Sequence, residues 1–125
     1  MRERCDSGQA TLELALLLPA LVVILSVLVQ VGLIGVDQVR VWHAAREGAR
    51  VAAVTADANE IAAAVRRGGL DAASVDVTPS AAYRQQGAPV TVIVSLRPPW
   101  QTPIVGGFIG PDPIRARSSM RIEQP

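Results

Sequence analysis

The longest uninterrupted apolar segment of the chain runs from Leu14 to Val36 and contains no charged residue. As a helix, its 23 residues would measure about 34 Å, enough to cross a hydrocarbon core of about 30 Å. A cleavable signal peptide would have small residues soon after its apolar part, but Asp37-Gln38-Val39-Arg40 follow here. We therefore expect a retained transmembrane helix that ends at Val36, with Asp37 at the membrane edge. Pro19 removes one helical hydrogen bond and should kink the span.

Small and apolar residues recur at spacings of three and four beyond this run, which predicts that the helix continues on an Ala-rich stripe. The stripe consists of Val39, Trp42, Ala45, Ala49 and Ala53, and the other faces carry Arg46, Glu47 and Arg50. Gly48 lowers helix stability by about 1 kcal/mol relative to Ala and favours a bend.

A second helical segment, Ala58 to Arg67, is predicted by signals at both of its ends. The sequence Asp57-Ala58-Asn59-Glu60 is typical of a capping box, with Asp57 in the cap position. Gly68-Gly69 then predicts a left-handed end to the helix.

The period of the pattern changes from helical to two after Gly69. Val75 and Val77 alternate with polar residues, the segment Val90–Leu96 is apolar at most positions, and Ile114–Glu123 alternates along its whole length. These patterns predict three strands, the second of them central and the third with one solvent-facing side. The fold class is therefore α+β and membrane-anchored: a long N-terminal hydrophobic helix, an Ala-rich continuation and a small antiparallel sheet of about three strands.

The residues in front of the apolar run resemble the leader of type IV pilins and pseudopilins. Gly8 is followed by Gln9, and Glu13 lies five positions after Gly8 at the start of the apolar helix. Across the chain, the closer resemblance is to the TadE-like minor pseudopilins of tight-adherence (Flp) pilus systems. The matching pieces are Gln9–Glu13, Leu18-Pro19, Val39-Arg40-Val41, Ala44-Ala45-Arg46-Glu47-Gly48-Ala49-Arg50 and the C-terminal Met120–Glu123.

This resemblance implies processing and a place in a pilus or related secretion machine. A prepilin peptidase would cut between Gly8 and Gln9 on the cytoplasmic side, making Glu13 the fifth residue of the mature chain. The implied segments are a cytoplasmic leader (1–8), a transmembrane pilin-like helix (9–36), an extracytoplasmic helical stalk (37–68) and a small β-rich exported domain (69–125). The implied partners, besides the lipid bilayer, are the peptidase, other pilins or pseudopilins, an assembly ATPase and inner-membrane platform proteins.

A carboxylate inside an apolar helix is energetically costly without a polar partner, and two interpretations of Glu13 provide one. In a pilin-like assembly the freed amino group of Gln9 on a neighbouring subunit would pair with it and fix the register. The alternative is an interfacial glutamate that lies among the lipid headgroups.

The charges around the apolar run and the leader-like residues predict opposite membrane topologies. Arg2 and Arg4 precede the run, whereas Arg40, Arg46 and Arg50 follow it closely, which by count favours a cytoplasmic C-terminal side. The pilin-like leader implies the opposite orientation, and we expect the orientation that the leader implies.

Composition excludes several other functions. The net charge of +1 gives no reason to expect a nucleic-acid partner, and the absence of Lys excludes a P-loop. Cys5 is the single cysteine and has no internal disulfide partner. His43 has no second His, Cys or acid cluster nearby in the sequence, so we expect no metal, no cofactor and no enzymatic activity.

Two surface features allow a functional and a plain reading. Arg115, Arg117 and Arg121 form a basic stripe on the third strand, which is more often a solvated face than a binding patch. Trp100 and Phe108, in the Pro- and Gly-rich segment before that strand, would cover the sheet, rest on the membrane or contact another pilin.

Other functions also fit parts of the pattern. An unprocessed single-span membrane protein with an exported binding or scaffolding domain is the main alternative. A soluble protein cleaved late, near Ala44-Ala45 or Ala52-Ala53, fits less well because those sites lie far beyond the apolar run.

Overall fold

The computed structural model describes residues 6–97 and 112–124, and the side chains from residue 8 onward. The elements in chain order are helices α1 (Asp6–Ala52) and α2 (Ala58–Arg66), strand β1 (Ser74–Thr78), a short 3-10 helix (Ala81–Tyr83) and strands β2 (Pro89–Leu96) and β3 (Ile114–Arg121). The chain divides into two compact units, Met1–Ile34 and Gly35–Pro125. The α+β class is confirmed, whereas the four predicted segments stay a prediction. Trp100 and Phe108 lie outside the described residues.

The first unit contains most of the apolar part of α1, and nearly all side chains of that part are exposed. A helix that is apolar all round requires an apolar environment for its whole circumference. Pro19 lies inside this helix, which continues through it. Ser26 donates from its hydroxyl to the carbonyl of Val22 at 2.8 Å, so this polar side chain is satisfied within its own helix. The exposed large apolar residues are Leu12, Leu14, Leu16, Leu17, Leu18, Leu21, Val22, Val23, Ile24, Leu25, Val27, Leu28, Val29, Val31, Leu33 and Val36.

In the second unit the last turns of α1 bury a stripe of small side chains. The predicted stripe is correct at three alanines and wrong at its start, because Val39 and Trp42 are 54% and 45% exposed. The buried face runs instead through Val41 and Gly48, with spacings of three and four between adjacent turns. Its full membership is Val41, Ala44, Ala45, Gly48, Ala49, Ala52 and Ala53.

The three strands form an antiparallel sheet in the order β1-β2-β3, as the apolar character of β2 predicts. Val75 pairs with Val94 between the first two strands, and Val94 pairs with Ala116 between the last two. Burial alternates along β2, with Val90, Val92, Val94 and Leu96 buried. The opposite face of the sheet carries the arginines of β3 at the surface.

The core forms where the last turns of α1, helix α2 and the inner face of the sheet meet. Ile61 and Val65 of α2 are fully buried and belong to the same cluster as the α1 stripe and the β2 valines. The backbone of α1 comes close to α2 and β2 at Gly48, since a Cβ at this position would lie 2.9 Å from Val65 Cγ2 and 3.2 Å from Val92 Cγ1. The helix continues through Gly48 to Ala52. Gly48 therefore serves close packing against α2 and β2.

Helix α2 begins and ends close to the predicted positions. The Asp57 carboxylate accepts a hydrogen bond from the Asn59 N–H at 2.8 Å, which confirms the cap. The backbone N–H of Asp57 donates to the hydroxyl of Thr55 rather than to Glu60, so the predicted capping box is replaced by a threonine contact. Gly69 has φ +77°, which confirms the left-handed end, and the helix stops at Arg66, one residue early.

An arginine contact holds the C-terminal end of α1. Nη1 of Arg84 donates to the carbonyl of Ala52 at 3.1 Å and also to that of Thr55. The carbonyls at the end of a helix have no partner within the helix, so this side chain satisfies one of them. The N–H groups of Glu123 and Gln124 both donate to the carbonyl of Ala53. The end of α1 is thereby held by the loop before β2 and by the residues after β3.

We predict that replacing Gly48 with alanine destabilises the folded domain. The new methyl group forces Val65 and Val92 to move, and overpacking of this kind costs about 1–3 kcal/mol, more than the roughly 1 kcal/mol that alanine adds to a helix. Hydrogen exchange of the β2 amides, measured on the full chain in detergent micelles, should become faster. Gly35→Ala is the control, because nothing lies within 4 Å of a Cβ there. Equal or greater protection in Gly48→Ala would contradict the packing role.

We also predict that Arg84→Met loosens the end of α1. The substitution keeps much of the apolar stem but leaves the carbonyls of Ala52 and Thr55 without their donor, at a cost of about 1–3 kcal/mol. The thermal unfolding midpoint of the full chain reports this loss. Arg117→Met removes an exposed arginine from β3 and should change stability by no more than about 0.5 kcal/mol. An equal effect of the two substitutions would show that the Arg84 contact has no structural role.

Candidate functional site

The leader-like residues lie in the first turns of α1. Gly8 has open space around it, since nothing lies within 4 Å of the position that a Cβ would take there. Gln9 and Glu13 are four residues apart and therefore share a helix face, and Nε2 of Gln9 donates to Oε1 of Glu13 at 3.4 Å. Both side chains are exposed. The Glu13 carboxylate thus faces outward with capacity to accept further hydrogen bonds.

The apolar helix that follows is long and apolar enough to cross a membrane. Glu13 lies at its start, so a charged group stands at the edge of an otherwise uncharged surface. Gln30 is a polar residue in this run that the sequence pattern does not single out. It is buried and engaged in a polar interaction. The sequence signal for Gln30 is a polar amide side chain within an otherwise apolar run.

The second half of the family-like motif divides between two faces of α1. Gly48 faces the core, whereas Arg46, Glu47 and Arg50 are exposed. The guanidinium carbon of Arg46 lies 4.3 Å from the centre of the Trp42 ring, a cation–π contact one helical turn apart. The Trp42 ring also meets that of His43 edge to face at 5.5 Å. The motif therefore combines a packing glycine with a charged outer surface.

A polar cluster begins directly after the apolar run. Asp37 is buried, and its Oδ1 lies 3.6 Å from Nη1 of Arg40. Nε2 of Gln38 donates to the backbone carbonyl of Arg115 at 3.4 Å. Since Arg115 is the second residue of β3, this contact places the start of that strand beside the Asp37–Arg40 turn of α1.

Within residues 6–97 and 112–124, no group of three or more His, Cys, Asp or Glu side chains is placed to hold a metal ion. His43 contacts Trp42, and the predicted basic stripe Arg115, Arg117 and Arg121 is exposed on the outer face of the sheet. The exposed features of the part of the chain that the structure describes include the N-terminal motif, the apolar helix surface and the charged exterior of the domain.

Comparison with known proteins connects these features. The model of the TadE-like protein family matches residues 8–50, a segment that begins at Gly8 and ends within the buried part of α1. No curated protein and no solved structure gives a match. The family match supports the expectation that this chain is a component related to the Tad pilus. It includes Gly8, Glu13, the whole apolar run and the Arg46–Arg50 motif, so the resemblance of this chain to TadE-like proteins is confirmed over residues 8–50.

Proposed function

We propose that the protein is a minor pseudopilin of a Tad/Flp-type pilus or related secretion system, with a structural and not an enzymatic role. One observation carries this proposal: the exposed carboxylate of Glu13 stands at the start of a long apolar run of α1 whose large apolar side chains are exposed. Such a surface suits a helix that resides first in lipid and then among similar helices. The TadE-like match over the same residues supports it.

The proposed topology has residues 1–8 in the cytoplasm, one membrane span and an extracytoplasmic C-terminal domain. The leader-like motif around Gly8 supports this orientation, because a prepilin peptidase acts on the cytoplasmic side. The domain after Val36 has its own core of buried residues, as an exported folded part requires.

The proposed cleavage bond, between Gly8 and Gln9, lies in the first turn of α1. The first four N–H groups of a helix have no partner within it, and glycine is a weak helix former. Opening this turn to a peptidase therefore disrupts little structure. The open space around Gly8 also leaves room for a protease subsite that accepts no side chain.

The proposed role of Glu13 is to set register during assembly. Cleavage creates a positively charged α-amino group on Gln9, and in a bundle of pilin helices this group on one subunit pairs with Glu13 of the next. Removing one partner from such a pair in an apolar environment costs several kcal/mol, so subunits in the wrong register are disfavoured. The contact from the Gln9 amide is long, at 3.4 Å, and is easily exchanged for a charged donor.

The proposed partners follow from this role: a prepilin peptidase, other pilins or pseudopilins, inner-membrane platform proteins with their ATPase, and lipid. No cofactor, metal or nucleic acid is required. The alternative remains an unprocessed single-span protein whose exported domain binds or scaffolds at the membrane.

The state of the N-terminus separates these functions. We predict that the protein purified from membranes of its own host begins at Gln9, measured by intact mass and N-terminal sequencing. Gly8→Leu should abolish processing, because the added side chain fills the space next to the cleaved bond. Gly32→Leu, also in open space on α1, is the matched control and should be processed normally. A wild-type chain that begins at Met1 would overturn the pseudopilin proposal in favour of the unprocessed alternative.

We predict that Glu13→Gln leaves processing and membrane insertion intact but reduces co-purification with other pilins at least about tenfold, since a buried ammonium without its partner costs about 3–5 kcal/mol. Glu47→Gln removes an exposed carboxylate from the same helix outside the apolar run and serves as control. Wild-type recovery of partners by Glu13→Gln would assign Glu13 to the headgroup region instead.

A further inference from the structure

The sheet has two edge strands, β1 and β3, because only β2 has a strand on each side. Just after β3, the N–H of Ile122 donates to the carbonyl of Ala88, on the β2 side. In an antiparallel pair, residues that bond to the neighbouring strand alternate with residues whose N–H and C=O groups point away from it. Arg117, Ser119 and Arg121 therefore direct their backbone groups to the free edge of β3.

The same alternation identifies the backbone groups at the free edge of β1. Val92 of β2 lies opposite Ser118 on one side and Val77 on the other. Since Ser118 bonds to β2, Val92 directs its groups to β3, and Val77 faces away from β2. Val75, two residues earlier, has the same direction. In the part of the chain that the structure describes, the N–H groups at both free edges make no hydrogen bond.

The side chains beside the two free edges carry opposite charges. On the exposed outer face of the sheet, β1 carries Asp76, whereas β3 carries Arg115, Arg117 and Arg121. Asp76 and Arg117 lie in one row across the sheet with Ile93 between them, so two strand spacings, about 10 Å, separate them. Neither of them forms a salt bridge with another described residue.

Pairing between two identical edges would bring like charges together. When β3 lies antiparallel to β3 of a second copy, the fully overlapping register places Arg115 opposite Arg121. A shift of two residues in either direction places Arg117 opposite Arg117 or Arg121. For β1, the fully overlapping register places Asp76 opposite Asp76. Like charges directly opposite each other destabilise a strand pair, so symmetric pairing of either edge is disfavoured.

Pairing between the two different edges brings opposite charges together. Strands β1 and β3 are parallel, since each is antiparallel to β2, so a second copy in the same orientation adds its β1 to β3 as a parallel strand. With Arg117 beside Asp76 of that copy, the N–H of Arg117 meets the carbonyl of Val75, and the N–H of Val77 meets the carbonyl of Arg117. The other edge groups of Val75 and Val77 meet the β3 groups one step further along.

We propose that β3 of one copy of this chain pairs in parallel with β1 of a second copy, with Arg117 beside Asp76 on the outer face. The contact joins two different surfaces, so each end of the pair keeps one free edge and further copies add in an open row. The proposal depends neither on processing at Gly8 nor on a place in a pilus, so its failure and the failure of the proposed function are separate results.

Disulfide cross-linking of the full chain in detergent micelles tests this pairing, with Cys5→Ser in every sample. One batch carries Thr78→Cys and the other Ser119→Cys, two exposed positions that lie side by side in the proposed register and leave the charge pair intact. Within one copy these positions are about 10 Å apart, beyond the roughly 4.4–6.8 Å between the Cα atoms of a disulfide. We expect the mixture to form cross-linked dimers on mild oxidation.

The matched control mixes Ser74→Cys with Ser119→Cys. Ser74 is an exposed residue on the same strand and face as Thr78, but about 13 Å further along it. We expect at least about tenfold fewer dimers from this mixture, because the Cα atoms lie outside disulfide range. Equal yields from the two mixtures, dimers formed as readily within a single batch, or no dimers in any sample would overturn the proposal.

A charge exchange tests the contribution of the central pair. In the cross-linking mixture, Asp76→Arg or Arg117→Asp in every copy should each lower the dimer yield about fivefold, because like charges then lie side by side. The double variant Asp76→Arg/Arg117→Asp restores an opposite pair and should recover most of the yield. A double variant as impaired as the single variants would contradict the proposed register.

Discussion

The exposed apolar circumference of α1 between Leu14 and Val36 is the constraint on which the rest of this molecule depends. Burial of a large apolar side chain contributes about 1.5–3 kcal/mol, so the exposed side chains of this run represent tens of kcal/mol. That sum exceeds the entire folding stability of a typical domain, about 5–15 kcal/mol. The environment that covers the run therefore decides where the whole chain resides. Under the proposed function, a bilayer and then a bundle of similar helices provide such cover.

The same helix must then become half-polar without interruption, because its last turns form one wall of a soluble core. The chain meets this requirement with small residues, which bury a narrow stripe and leave Arg46 and Arg50 on the outside. Alanine stripes bury little area, so stability depends on close approach of the backbones. Gly48 permits that approach to α2 and β2, and Arg84 fixes the place where α1 ends. The whole chain has only one Phe and one Tyr, and the domain forms a packed core by this close approach of backbones.

The sequence predicts the elements of this fold more accurately than their mutual contacts. Period-two alternation predicts the three strands, and the apolar run of β2 predicts that this strand is central. Both predictions succeed because the burial of a pleated strand is reflected in the pattern of its own residues. The hydrophobic periodicity of the sequence predicts a buried face of α1 that begins at Val39 and Trp42, because large apolar residues contribute most to that pattern. The face that is buried in the structure consists mainly of alanines and Gly48. Arg84 leaves no local signal, since its partners lie about thirty residues earlier.

The N-terminal site is predictable for another reason: its information lies in a few adjacent residues. Gly8, Gln9 and Glu13 are placed by one helix, so their spacing in sequence is their geometry. What pairs with Glu13 depends on a second chain, and no single sequence contains that geometry.

The charge distribution around the apolar run fits the proposed orientation once the domain is taken as folded. The positive-inside rule applies to short segments, up to about 60 residues, because longer domains cross the membrane largely regardless of their charge. The 89 residues that follow Val36 exceed this length and form a packed domain. Of the arginines that oppose the orientation by count, Arg40 pairs Asp37 and Arg46 stacks on Trp42. Under the proposed orientation, the arginines that follow the run therefore belong to a folded domain and not to a short loop, and their count does not oppose export.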